Sequence, residues 1–168
     1  IPALVGLSIC QVIATINFKF YQADLISEQL QGSYPQAFGA LSRVATRHIS
    51  GPYRCPKTVR EDIYRVSPAF RELRQYIDGS GGNYAKRQDW IRDTCACYPK
   101  TGPDYGGAWF HWMFRGAVQS AGYFSSAQEA EVFLHRLATE VNTACDEGRL
   151  DCESPRATLA PKYRGEYT

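Results

Sequence analysis

From Ser126 onward, apolar and polar residues alternate with a helical period. Ala130, Phe133, Leu134, Leu137, Val141 and Ala144 recur at three- and four-residue steps, which places them on one face of a helix. Ser126-Ala127-Gln128-Glu129 has the form of a capping box, and Asp146-Glu147-Gly148 supplies a stop. The pattern predicts a helix over residues 127–145. The same reading places a second helix over residues 108–121, entered through Gly106-Gly107 and closed by Gly122. Phe110, Phe114, Val118 and Ala121 continue its apolar surface. We expect this helix to be the one the others pack around.

Earlier in the chain the start signals are equally local. Ser67-Pro68 reads as a cap followed by proline at the first helical position, with Phe70, Leu73, Tyr76 and Ile77 on one side and Arg71 and Arg74 opposite. Thr58-Val59-Arg60-Glu61 reads as another capping box, with Ile63, Tyr64 and Val66 behind it. Gly32 separates an amphipathic stretch, residues 19–31, from a helix that has Ser33 or Tyr34 at its cap and Pro35 in its first turn. A short helix over residues 84–93 carries Trp90 and Ile91. No run alternates with the period of a strand. The fold class expected is all-α, an irregular helical bundle of about five to seven helices stapled by disulfides.

Residues 1–18 follow another rule. IPALVGLSICQVIATINF contains no charged residue, and its length is near the lower limit for a membrane span. The expectation is a transmembrane or membrane-proximal helix, with Cys10 unpaired inside it; the competing reading is a buried core helix. Residues 19–155 would form a single helical domain and residues 156–168 a tail or linker.

Charge changes this picture only locally. The chain carries 19 Lys+Arg and 17 Asp+Glu, a formal net charge of +2, which gives no electrostatic case for nucleic acid. Residues 43–92 are nonetheless basic and residues 126–153 acidic, so a basic and an acidic side are expected. If residues 1–18 were embedded, Arg43, Arg47, Arg54, Lys57 and Arg60 would face anionic headgroups.

The 6 cysteines set the compartment. None has the spacing of a zinc knuckle or a thioredoxin-like motif. Cys145 and Cys152 flank a helix end and suit a local bridge, and Cys55 has Cys95 or Cys97 as its natural partner. Disulfides on this scale indicate an oxidising compartment, hence the periplasmic or extracellular side of a cell membrane.

Candidate chemistry centres on residues 102–124. His111, Arg115 and Gln119 share a helix face, and Gly106-Gly107 leave backbone N–H groups for an anion. Tyr105, Trp109, Trp112 and Tyr123, with Asp104 as an acceptor, would suit a sugar ring or a protein partner. The bland alternative is that the aromatics are core and that His111 and Arg115 sit at its rim. An enzyme acting on an envelope glycan or lipid-linked substrate would draw on Asp104, His111 and Arg115. The carboxylates Glu61, Asp62, Asp93 and Asp104 show no spacing that singles out a catalytic pair. No motif implies a cofactor, and His48, His111 and His135 show no metal-ligand spacing.

Three runs carry a resemblance: Glu61 to Leu73 (EDIYRVSPAFREL), Trp109 to Tyr123, and Val141 to Cys152 (VNTACDEGRLDC). Together they resemble, over residues 51–159, soluble loops between the spans of uncharacterised bacterial multi-pass membrane proteins. The resemblance implies an extracytoplasmic domain with a binding or structural role. It transfers no catalytic residue.

Overall fold

The computed structural model describes residues 2–21, 31–45, 55–79 and 109–153. Seven helices run through them: α1 (Pro2–Tyr21), α2 (Ser33–Arg43), α3 (Lys57–Val66), α4 (Pro68–Glu72), α5 (Arg74–Ile77), α6 (Trp109–Ser120) and α7 (Ala127–Asp146). Among the described residues there is no strand. A lone antiparallel bridge joins Val44 to Cys152. The expected all-α class is what forms, with one disulfide, Cys145–Cys152, among the described residues.

Among the described residues, α7 makes the most extensive packing between helices, where the 108–121 helix was expected to do so. α2 packs along it, and α3 and α4 rest on it, whereas α6 meets α5 and presents its rings to α2. The cause is the width of each apolar face. The α7 stripe is buried along its whole length at Ala130, Phe133, Leu134, Leu137, Ala138, Val141, Ala144 and Cys145. α6 buries Phe110, Met113, Phe114, Ala117 and Val118. Burying each of these large side chains contributes about 1.5–3 kcal/mol, so a long continuous stripe outweighs a short one.

The helix ends show which local signals survive. Ser126 Oγ accepts from the Glu129 N–H at 3.1 Å, and Ser67 Oγ accepts from the Phe70 N–H at 3.1 Å, as the cap patterns imply. Gly122 and Gly148 adopt φ of 90° and 71° at the ends of α6 and α7. Two caps differ from expectation. α3 begins at Lys57 behind Pro56, so Thr58 lies inside the first turn and caps nothing. α2 begins at Ser33 behind Gly32, with Ser33 and Tyr34 both inside the helix.

The free amide at the start of α2 is satisfied from elsewhere. Glu131 of α7 accepts the Ser33 N–H at 2.9 Å. Gly32 is held at φ 74°, and a side chain there would run into the Glu131 carboxylate. Glu140, also on α7, treats α4 the same way. It accepts from Ser67 Oγ at 2.6 Å and from the Ala69 N–H at 2.9 Å. Carboxylates of one helix therefore cap the N-termini of two others, where the helix dipole favours negative charge. Two of the acidic side chains of residues 126–153 are thus spent on contacts between helices.

α1 stands apart from this core. It makes no extended packing with any other described helix. No helix among the described residues is long and apolar enough to cross a membrane, so the span expected over residues 1–18 finds no support here. Ser8, Gln11, Thr15 and Asn17 interrupt its apolar run. Cys10 is a free thiol, as expected, but lies exposed and not inside a core.

Candidate functional site

The sequence points to α6 and its approach. Asp104, Tyr105, Gly106 and Gly107, together with Asp93, Cys95 and Cys97, lie outside the described residues. So do the helix expected over residues 84–93 and the tail after residue 155.

The described members divide sharply. His111 is half-buried between two rings of α2, its centroid 5.3 Å from that of Tyr34 and 5.3 Å from that of Phe38, both edge-on. The Tyr34 hydroxyl donates to the His111 carbonyl at 3.1 Å and lies 3.4 Å from the ring Nδ1. Arg115 lays its guanidinium over the Phe124 ring at 5.1 Å. Tyr123 stacks on Phe133 of α7 with centroids 3.7 Å apart, and its hydroxyl donates to Glu72. That bond raises the Tyr123 phenol above its ordinary value, with burial and the Glu72 charge adding to the effect. His111 thus ties α6 to α2, and Tyr123 ties the turn after α6 to α7. Trp109 is half-buried, whereas Trp112 is 47% exposed. Trp112 is therefore the described aromatic of this set with a face turned to solvent.

One polar cluster had no signal in the sequence. Arg60 is 1% exposed in the core. Its guanidinium donates to Asp78 at 2.6 Å and to the Cys55 carbonyl at 2.7 Å. Tyr64 donates to the same Asp78 carboxylate at 2.8 Å. Burial alone would raise the Asp78 carboxyl, but the Arg60 guanidinium and the Tyr64 hydroxyl outweigh it and hold it below its ordinary value. Burial and the neighbouring Asp78 charge push the Tyr64 phenol far above its own. The cluster ties the start of α3 to the end of α5. Eighteen residues separate Arg60 from Asp78, and no helical or strand period connects them.

The basic side expected over residues 43–92 is largely consumed where it is described. Arg60 is in the core and cannot face a headgroup. Arg43 pairs with Asp146 at 2.7 Å, Arg74 with Glu61 at 2.9 Å and Arg65 with Asp62 at 2.8 Å, while Arg71 caps the Tyr64 carbonyl at 2.7 Å. The candidate carboxylates Glu61 and Asp62 are thus ion-pair partners of arginines. His135 is exposed on α7. Among the described residues no three His, Cys, Asp or Glu side chains converge as metal ligands would.

Cys145 and Cys152 form the expected bridge, with Cα atoms 5.5 Å apart. It returns the chain onto α2, where the Ala45 N–H donates to the Asp151 carbonyl and the Glu153 N–H to the Arg43 carbonyl, each at 2.8 Å. Cys55 is buried, and its expected partners lie outside the described residues.

Among the described residues, most of the exposed large apolar side chains stand elsewhere, on α1. Leu4, Val5, Leu7, Ile9, Val12, Ile13, Ile16 and Phe18 of α1 are all between 40% and 69% exposed. They account for eight of the ten large apolar side chains that stand exposed among the described residues. The hydroxyls between them are already satisfied, since Ser8 donates to the Leu4 carbonyl at 2.9 Å and Thr15 to the Gln11 carbonyl at 2.8 Å. A ligand for this surface need supply no hydrogen bonds to them. No family model, no curated protein and no solved structure matches the chain.

Proposed function

We propose that this chain is a docking module, a helical domain with a binding or structural role that works on the extracytoplasmic side of a cell and attaches to its partner through α1. The observation that carries the reading is the exposure of eight large apolar side chains on one helix beside a bundle that is otherwise well packed. An apolar surface of that extent on a soluble chain is normally covered in use. The Cys145–Cys152 bridge supports the oxidising compartment.

The test is the behaviour of the chain in an extract of the cells that make it. The wild type should sediment in an assembly, and a chain with Ile9→Ser and Val12→Ser should sediment as a free monomer. A wild type that sediments free would sink the docking role. For the compartment, mass spectrometry after thiol trapping should find Cys145 and Cys152 oxidised; two trapped thiols would remove that part of the proposal.

A second reading rests on Trp112, whose exposed indole meets the His111 ring edge-on with centroids 5.2 Å apart. It is suited to stack on a sugar ring of an envelope glycan. Titrating soluble glycan fragments while following tryptophan fluorescence tests it: the wild type should respond and Trp112→Ala should not. Equal responses would discard it.

A further inference from the structure

We draw no further inference here: the strongest candidate, the exposed apolar surface of α1 between Leu4 and Phe18, carries none, because nothing in the structure shows what covers it.

Discussion

Helices α1 and α7 are each 20 residues long, yet they have opposite fates. α7 concentrates its apolar residues on one stripe and leaves only Val132 of its large ones exposed; α1 spreads them around its circumference and exposes eight large ones. The difference is one of arrangement as well as amount, since α1 is also the more apolar of the two. A stripe allows neighbours to cover the apolar residues while the polar face stays wet. Without a stripe, no single neighbouring surface can cover the helix. α7 also carries Glu131 and Glu140, which dock the N-termini of α2 and α4, whereas α1 carries no acidic side chain in residues 4–19.

The contrast breaks most readily in the core. Phe114→Ala removes a fully buried ring where α6 meets α2 and should cost about 3–5 kcal/mol in urea unfolding. A cost near that of a surface change would mean that the α6 core is not as close-packed as the structure has it. Asp78→Ala leaves the Arg60 guanidinium buried without its carboxylate and should cost about 3 kcal/mol.

The same cluster sets a pH window. The Asp78 carboxyl is lower in the folded chain than unfolded, so the stability it contributes is present above the unfolded value of about 3.9 and is lost as pH falls below it. The Tyr64 phenol is higher in the folded chain, so stability declines as pH rises past the unfolded value of about 10. In Asp78→Asn the acid limb should flatten; an unchanged limb would show that other carboxylates control it.

Replacing Cys145 and Cys152 by serine opens a short loop and should cost about 2–3 kcal/mol, read as a lower denaturant midpoint. Glu140→Ala strips α4 of its cap from α7 and should cost about 1 kcal/mol. At the far end of the scale, Leu7→Ala in α1 should change stability by less than about 0.5 kcal/mol, because its side chain is 68% exposed. A large effect there would show that α1 packs on the bundle after all and would remove the contrast.

The sequence by itself determined everything that depends on near neighbours along the chain. Ser67 and Ser126 cap their helices because the side chain that accepts and the amide that donates are three residues apart. The α7 stripe, the glycine stops and the Cys145–Cys152 bridge were legible for the same reason. Where a local signal misled, a distant group had replaced it. Ser33 resembled a cap, but its amide is satisfied by Glu131 from 98 residues away. His111 and Arg115 of the His111–Arg115–Gln119 edge, and Tyr123 among the aromatics, resembled ligand-binding residues, because spacing places residues on a face without showing what covers that face. Rings of α2, Phe124 and α7 cover this one. The burial of Arg60 and its pairing with Asp78 were decided only by the tertiary structure, which folds α5 back beside α3. The exposure of α1 belongs to the same class. Its composition established that it is apolar. Only the packing of the other helices around α7 established that they leave α1 uncovered.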